Sequence, residues 1–220
     1  MAVINVPRCQ TKKFVWLILF LPLAITPLKA QKYFFDNYSI KQGLSEQKVY
    51  TLLQDSKDYI WLGTANGVSR FDGTKFYNFT SIDGLAPGGV KSIIEDSLGY
   101  IWLGHLNGGI SRYYNGRFEQ AAFDSLTLTG DVTSIAQIKD KIWFTSATDG
   151  AILADFPIND IKHIKSKQFR GKEGISDQVF GSTVIKGESF VCITDAGLKR
   201  YNKEDGKFLH VKVFFLLVGN

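Results

Sequence analysis

The sequence of 220 residues has only 2 cysteines and 5 prolines, and no stretch of it shows helical periodicity. Cys9 falls in a leader-like N-terminal segment, so Cys192 has no partner with which to form an internal disulfide. Apolar residues do not recur at every third to fourth position over ten residues, which excludes a fold built from amphipathic helices. We therefore expect an all-β protein in which Cys192 is a buried, unreactive thiol.

A basic surface is also missing once the N-terminal segment is set aside. The formal net charge is +5, but residues 1–30 hold four of the 26 lysines and arginines and no acidic residue. The remaining chain is close to neutral, so we expect no nucleic acid partner. The hydrophobic content of 45% is sufficient for a core and argues against intrinsic disorder.

Residues 1–30 have the pattern of a secretory signal peptide. The basic residues at its start are Arg8, Lys12 and Lys13. An apolar run follows at residues 14–25, and it is short and interrupted by Pro22, unlike a good membrane span. Cleavage after Ala30 fits the pattern, and an uncleaved N-terminal anchor is the alternative. In either case we expect the body of the protein to be periplasmic or otherwise exported.

Three segments of the chain are close copies of one another. They read YIWLGT at residues 59–64, YIWLGH at residues 100–105 and KIWFTS at residues 141–146. Their tryptophans, Trp61, Trp102 and Trp143, are 41 residues apart. A period near 40 with one tryptophan in each unit is typical of stacked repeats such as propeller blades. We expect these tryptophans to fill the space between adjacent blades; the alternative is an aromatic platform for a sugar.

Each unit contains about four short runs rich in Val, Ile, Tyr, Phe and Trp, which predict a four-stranded antiparallel meander. Asp72-Gly73 and Asn115-Gly116 lie between two apolar runs and predict type I′ hairpins, in which both central residues have positive φ. Asp55 and Asp96, ahead of the first two tryptophans, are expected to hydrogen-bond within their own turns. The glycines that recur at fixed places in the units are Gly63, Gly104, Gly67, Gly109 and Gly197.

These patterns predict an all-β fold of β-propeller blades, in a partial or open propeller of about four blades. The predicted repeats are residues 43–83, 84–130, 131–173 and 174–210. Residues 31–42 match the end of the first repeat and are predicted to be the N-terminal strand that would close the propeller. The apolar tail, residues 211–220, leads us to expect an N-terminal fragment of a longer product, with a complete four-bladed ring as the alternative.

The repeat also resembles a known family. The matching features are an initial Gly-Leu, the segment Tyr-Ile-Trp-Leu-Gly-Thr and the segment Gly-Val-Ser-Arg-Phe-Asp-Gly. Residues 43–73 and 84–116 closely resemble the two-component regulator propeller repeat. Residues 131–153 and 174–202 resemble it with departures, because Phe-Thr follows Trp143 and Val191 takes the place of the tryptophan.

The resemblance implies the periplasmic sensor part of a hybrid two-component histidine kinase. In this family such propellers often detect fragments of complex glycans. The resemblance also implies C-terminal partners in the same system, namely an immunoglobulin-like domain, a membrane helix, a kinase and a response regulator. Full-length relatives would then be anchored in the inner membrane.

The sequence contains no catalytic or metal-binding motif. His105, His163 and His210 do not have the spacing of metal ligands. We therefore expect a ligand-sensing module that is not an enzyme, holds no metal or cofactor, binds an oligosaccharide, and could form a homodimer. The alternatives are a propeller enzyme acting on carbohydrate, as a lyase or hydrolase, and a truncated fragment without function.

Four residues are candidate ligand contacts. His105 replaces Thr64 at the end of the tryptophan strand, where a propeller rim could bind a ligand; a solvated histidine is the alternative reading. Thr145, Ser146 and Asp149 lie where the third unit departs most from the repeat, and a functional site is expected to interrupt a structural pattern.

Overall fold

The computed structural model describes residues 36–171, 175, 178–187 and 189–211. The predicted signal peptide and nearly all of the apolar tail lie outside these residues. The chain divides into two compact units, residues 1–37 and 38–220, and every described strand belongs to the second unit. Among the described residues, no helix has the length and apolar character needed to cross a membrane.

The described chain forms sixteen strands in four groups. Blade 1 consists of β1 (Val49–Gln54), β2 (Ile60–Thr64), β3 (Gly67–Phe71) and β4 (Phe76–Phe79). Blade 2 consists of β5 (Val90–Glu95), β6 (Ile101–His105), β7 (Ile110–Tyr114) and β8 (Arg117–Gln120). Blade 3 consists of β9 (Val132–Ile138), β10 (Lys141–Ser146), β11 (Gly150–Asp155) and β12 (Ser166–Phe169). Blade 4 consists of β13 (Val179–Ile185), β14 (Ser189–Thr194), β15 (Gly197–Asn202) and β16 (Lys207–His210).

Each blade is one sheet of four consecutive antiparallel strands. This topology confirms the predicted all-β fold, an open propeller of about four blades. The three tryptophans occupy the same place in successive sheets, since each lies on the second strand opposite the same position of the third. The strands fall inside the predicted repeats, whose exact boundaries stay a prediction.

The core consists of three apolar clusters, each between two consecutive blades. Trp61 reaches Tyr113 of blade 2, with ring centroids 4.9 Å apart. Trp102 reaches Phe144 of blade 3, at 5.8 Å. Trp143 stacks on Phe190 of blade 4, at 4.3 Å. The tryptophans therefore fill the space between blades, as predicted, because one twisted sheet buries its faces only against its neighbours.

Two of the recurring glycines set how closely the blades approach. A Cβ at Gly63 would lie 2.6 Å from the carbonyl oxygen of Val90 in blade 2, and one at Gly104 would lie 2.5 Å from Val132 Cγ1 in blade 3. The other recurring glycines, Gly67, Gly109 and Gly197, have φ between 93° and 108°, which favours glycine in the turns between the second and third strands.

The described part of the predicted closing strand is not a strand. Residues 36–39 have no regular structure, and Ile40–Gln42 form a single 3₁₀ turn. Ser81–Asp83, ahead of blade 2, form the same turn, and both end at a glycine with φ near 100°. The sequence that recurs at an offset of 41 residues thus corresponds to the 3₁₀ turn that precedes the first strand of a blade. Residues 31–35 lie outside the described residues, so closure by this segment stays a prediction.

One of the two hairpin predictions is correct. Asn115 and Gly116 have φ of 46° and 86° and directly join the paired residues Tyr114 and Arg117, as a type I′ turn requires. The prediction for Asp72-Gly73 is wrong, because only Gly73 has positive φ. Asp72 instead accepts hydrogen bonds from the backbone amides of the two residues after Gly73, which lengthens the loop.

Candidate functional site

A carboxylate holds the tryptophan in each of the first two blades. Asp55 accepts hydrogen bonds from the amides of Lys57 and Tyr59 through one oxygen, and from Trp61 Nε1 at 2.7 Å through the other. Asp96 makes the same three bonds in blade 2, with Trp102 Nε1 at 2.7 Å. The predicted turn bonds are confirmed; the bond to the indole was not foreseen.

An arginine lies beside the tryptophan in each of the same two blades. The Arg70 guanidinium lies 4.5 Å from the ring of Tyr59 and donates to the Tyr113 hydroxyl of blade 2 at 3.0 Å. Arg112 lies 4.5 Å from the ring of Tyr100 and pairs with Glu119 at 2.9 Å. Both arginines stand opposite the tryptophan of their blade, so they fill the space beside it.

Blade 3 has lost all of these groups. Strand register places Leu153 opposite Trp143, where the first two blades have arginine. Ile138 ends the first strand at the position of the turn aspartate, and Lys141 stands in place of the tyrosine. Among the described residues, the position that Asp55 and Asp96 occupy beside their tryptophans is therefore held in blade 3 by an apolar side chain, Ile138.

A pocket of about 260 Å³ opens between blades 3 and 4 at this place. The corresponding space between blades 1 and 2, lined by Asp55, Tyr59, Arg70 and Tyr113, holds only about 50 Å³. Blade 2 keeps its arginine and still borders an open space of about 420 Å³, whose lining includes Tyr100, Arg112 and Glu119. The space between blades 3 and 4 differs in its lining, which includes the apolar side chains of Trp143, Leu153 and Phe190. This pocket is the candidate binding site.

The pocket combines an apolar floor with a charged rim. The floor is formed by Ile138, Trp143, Leu153, Phe190 and Tyr201. The rim is formed by Lys139, Asp140, Lys141 and Lys203. Lys141 is held by an ion pair with Asp155 on the next strand. A concave apolar floor with a few polar groups around it is the usual form of a small-molecule site.

His105 lies elsewhere, and it is buried. Its side chain is 0% exposed; Nε2 lies 2.9 Å from the Ser111 hydroxyl, and Nδ1 lies 3.3 Å from the Gly88 carbonyl. Burial lowers the pKa of His105 to about 4, although the hydrogen bond to Gly88 works in the opposite direction. The alternative reading, a solvated histidine, is wrong, because both ring nitrogens face neighbouring groups of blade 2 and of the loop that leads into it.

The three candidates in blade 3 are buried as well, at the opposite end of β10 from the pocket. Thr145 lies 3.0 Å from the hydroxyl of Thr133. Ser146 donates to Asp149 at 2.7 Å, and Asp149 also accepts from the amides of Thr129 and Gly130. The structure thus brings Ser146 and Asp149 together as a tie between two loops, and leaves Thr145 and His105 apart from them.

Hydrogen bonds determine the charge state of Asp149. Burial by itself would raise the pKa of this carboxyl, but bonds from Gly130, Ser146 and Thr129 outweigh it and hold the pKa below its ordinary value. The guanidinium of Arg170 lies 3.9 Å away and is 60% exposed. The carboxylate is therefore ionised and fully engaged within the fold.

No described residues form a group of three or more His, Cys, Asp or Glu side chains that could hold a metal ion. Blade 3, where the sequence departs from the repeat, also lines the pocket. Thr145, Ser146 and Asp149 lie at the other end of β10, and their role as ligand contacts stays a prediction, as does the use of the pocket as a binding site. Ile138 and Leu153, which replace the aspartate and arginine of the other units, were the signal that could have located it.

Comparison with known proteins gives the same architecture. Residues 43–66 match the family model described as the two component regulator propeller. A structure described as the extracellular domain of a one component system of B. thetaiotaomicron is 18% identical, with a TM-score of 0.66 over 78% of this chain and 26% of that chain. A domain described as belonging to a hybrid two component system of the same organism is 21% identical, with a TM-score of 0.64 over 85% and 25%.

A third solved structure is an enzyme. The gluconolactonase of Xanthomonas campestris is 11% identical, with a TM-score of 0.55 over 74% of this chain and 61% of that chain. At such identities the likeness extends to the fold alone. The chain spans about a quarter of the two Bacteroides domains. No curated protein matches the sequence. Residues 43–66 thus match the two component regulator propeller model, and the described chain has the fold of consecutive β-propeller blades.

Proposed function

We propose that this chain is the extracytoplasmic ligand-sensing propeller of a two-component signalling system, and that the pocket between blades 3 and 4 binds the ligand. The family repeat and the fold support the first part. The second part is supported by one observation: the polar groups that line the narrower space between blades 1 and 2 are replaced at this place by Ile138, Leu153 and Lys141, and the pocket is lined by apolar side chains.

The proposed ligand is the end of a glycan fragment. A sugar ring presents apolar C–H faces and polar edges, which match an apolar floor containing Trp143, Phe190 and Tyr201 and a rim of lysines and Asp140. The volume of about 260 Å³ accommodates one ring, so the rest of the glycan would extend along the outer surface of the blades. Lysines outnumber aspartate on the rim, which favours a sugar that carries a carboxylate.

The proposed role is binding without turnover. Hydrolysis of a glycosidic bond ordinarily uses two carboxyl groups that face each other across the substrate. Asp140 is the single carboxylate among the described residues that line the pocket. Asp155, on the strand next to Lys141, forms an ion pair with that lysine. The buried carboxylates Asp55, Asp96 and Asp149 are engaged in hydrogen bonds of their own turns and loops. The described residues that line the pocket therefore do not offer the pair of facing carboxyl groups that the alternative, a carbohydrate-acting hydrolase, would ordinarily use.

Other domains of the same signalling system would supply the membrane anchor and the signalling activity. We propose that the protein is exported by its N-terminal segment and works with C-terminal signalling domains, as a fragment of a longer sensor whose full-length form is anchored in the inner membrane. Ligand binding between two blades would then change their spacing, which is a mechanical signal that a following domain can detect.

The test is a comparison of two variants by isothermal titration calorimetry with neutral and uronate-containing oligosaccharides. Leu153→Arg places an arginine where the first two blades already have one, so the fold should accept it while the pocket fills. Leu98→Arg adds the same charge on an exposed turn and serves as the control. We expect the original chain and Leu98→Arg to bind at least one oligosaccharide and Leu153→Arg to bind none.

Equal binding by Leu153→Arg would remove the pocket from the proposal. No binding by the original chain to any oligosaccharide would contradict a glycan sensor. Release of shortened oligosaccharides during the titration would show that the protein cleaves its ligand, which would contradict a role limited to binding.

A further inference from the structure

A second concave surface lies on blade 2, apart from the pocket between blades 3 and 4. Its volume is about 420 Å³, and we call it the blade 2 hollow. Its lining residues belong to blade 2, and they are Tyr100, Arg112, Tyr114, Asn115, Arg117 and Glu119. The function proposed above uses none of them.

Strand register places these side chains together on one face of blade 2. Tyr114 of β7 pairs with Arg117 of β8. Two residues further from the hairpin turn, Arg112 pairs with Glu119. Side chains two residues apart on a strand share a face, so the four lie on the same side of the sheet. Tyr100, just before β6, has its ring centroid 4.4 Å from that of Tyr114. The hollow therefore contains a pair of tyrosine rings with polar groups beside them.

The charges of the hollow leave one cation available. Arg112 forms an ion pair with Glu119 at 2.9 Å and donates to the carbonyl oxygen of Ile158 at 2.9 Å. Its guanidinium also lies 4.5 Å from the ring of Tyr100, so it is held in place on three sides. Arg117 is exposed and forms no ion pair with a described residue. Two arginines and one glutamate thus leave the hollow with one net positive charge, at Arg117.

The pair of tyrosine rings is a departure from the repeat. In blade 1 the place of Tyr114 is taken by Asp72, whose carboxylate binds the amides of its own loop. In blade 3 the place of the two rings is taken by the ion pair between Lys141 and Asp155. The ring pair is therefore specific to blade 2 among the first three blades, and the repeat does not require it.

The side chains of the hollow suit a sugar unit that carries a carboxylate. The apolar C–H face of a sugar would rest on Tyr114, which is 42% exposed. The guanidinium of Arg117 would bind the carboxylate through paired hydrogen bonds. Glu119 uses Oε2 for Arg112, which leaves Oε1 to accept from a sugar hydroxyl. The amide of Asn115 can both donate and accept.

The blade 2 hollow and the pocket between blades 3 and 4 are equivalent places on consecutive blades. Tyr100 in the hollow and Lys141 in the pocket each stand two residues before the tryptophan of their blade. Arg112 and Leu153 each pair with that tryptophan. In an antiparallel meander, the turn between the first two strands and the turn between the last two lie at the same end. Both openings are beside these turns, so they face the same way, one blade apart.

We propose that the blade 2 hollow is a second subsite, which binds a uronate unit of the glycan whose end occupies the pocket. This inference rests on the function proposed above. The hollow covers one face of a sugar and is open, so its own affinity would be weak, with a dissociation constant on the order of 1 mM. It would add affinity only for an oligosaccharide long enough to reach both places.

The first experiment measures the hollow by itself, in the Leu153→Arg chain, whose pocket is filled. Saturation-transfer NMR with trigalacturonate detects binding that is too weak for a calorimetric titration. We expect transfer to the sugar in this chain, loss of transfer when Tyr114→Ala is added, and reduced transfer with Arg117→Gln. Lys75→Gln, at the place of Arg117 in blade 1, should leave it unchanged. All three of these added substitutions are at exposed residues, and circular dichroism checks that each chain is folded.

Absence of transfer in the Leu153→Arg chain would overturn the proposal. Transfer that Tyr114→Ala and Arg117→Gln leave intact would overturn it as well, because the sugar would then bind elsewhere.

The second experiment tests whether one glycan uses both places. In calorimetry on the original chain, octagalacturonate should bind about tenfold more tightly than digalacturonate, and Tyr114→Ala should remove this difference. Binding of digalacturonate should be unchanged in Tyr114→Ala. Equal affinities for the two oligosaccharides, or a difference that Tyr114→Ala leaves intact, would overturn the shared glycan. Binding of digalacturonate that Leu153→Arg leaves intact would contradict the pocket of the proposed function, and the NMR measurement would still decide on the hollow.

Discussion

The carboxylate of Asp96 accepts a hydrogen bond from the indole Nε1 of Trp102 at 2.7 Å, and it is 5% exposed. Two backbone amides of the same turn bond its other oxygen. A turn residue thereby fixes the largest side chain between blades 2 and 3. Hydrogen bonds to a charged group are worth more than those between neutral groups, and removing one partner leaves the other unsatisfied in the core.

The first prediction concerns this carboxylate. Asp96→Asn should lower the free energy of unfolding by about 2 kcal/mol, because asparagine has one accepting oxygen, so either the indole or the two backbone amides lose their acceptor. Urea denaturation followed by tryptophan fluorescence measures the change. Asp58→Asn is the matched control, since Asp58 lies in the equivalent turn of blade 1, is exposed, and has a φ of 65° that asparagine tolerates. An equal loss in both variants would show that the indole bond is not the cause.

The second prediction concerns the spacing between blades. Gly104→Ala should destabilise the protein by about 1–3 kcal/mol, because the new Cβ would lie 2.3 Å from Ser92 Oγ and 2.5 Å from Val132 Cγ1. Thermal unfolding of the variant provides the measurement. Gly181→Ala is the control in blade 4, where an added Cβ meets nothing within 4 Å. A stable Gly104→Ala variant would mean that blades 2 and 3 are less closely packed than described.

The third prediction is a dependence of stability on pH. Burial lowers the pKa of His105 to about 4 in the folded chain from 6.5. The unfolded chain therefore takes up the proton first as the pH falls, so the contribution of neutral His105 is complete above pH 6.5 and is lost between pH 6.5 and 4. The loss is at most about 3 kcal/mol.

The matching variant is His105→Thr, which copies Thr64 of blade 1. Urea titrations at pH 7 and pH 5 should show a larger drop in unfolding free energy for the original chain than for this variant. Equal drops would show that His105 is not buried in its neutral form.

The fourth prediction concerns the thiol between blades 3 and 4. Cys192 is 0% exposed, and burial raises its pKa to about 12. In a Cys9→Ala chain at pH 8, it should resist iodoacetamide for as long as blade 4 stays in place, and react promptly in urea. Mass spectrometry follows the modification. Rapid alkylation without urea would mean that blade 4 detaches readily from blade 3.

Much of this fold could be predicted from the sequence because its signals are local. The spacing of Trp61, Trp102 and Trp143 gave the repeat, and Asn115-Gly116 gave its hairpin. The Asp72 turn was not predictable in the same way, because the side chain of Asp72 competed with the expected hairpin geometry. The burial of Cys192 followed from its place in a strand pattern.

The site could be predicted only in part. The sequence indicated blade 3 as the unit that departs from the repeat, and Thr145, Ser146 and Asp149 were chosen because the departure is greatest around them. The structure shows that such groups can satisfy one another in the core. Ile138 and Leu153 contribute to the apolar lining of the pocket. Their significance becomes visible only when the strand register aligns them with the aspartate and the arginine of the first two blades.

The three clusters each belong to one pair of blades, and this has a consequence for how the protein comes apart. Cooperativity in such a chain passes only from neighbour to neighbour. Fraying can therefore begin at either outer blade and halt after it, while blades 2 and 3, held from both sides, protect their amides longest. Local unfolding of one terminal blade therefore leaves the blade at the other end of the chain folded.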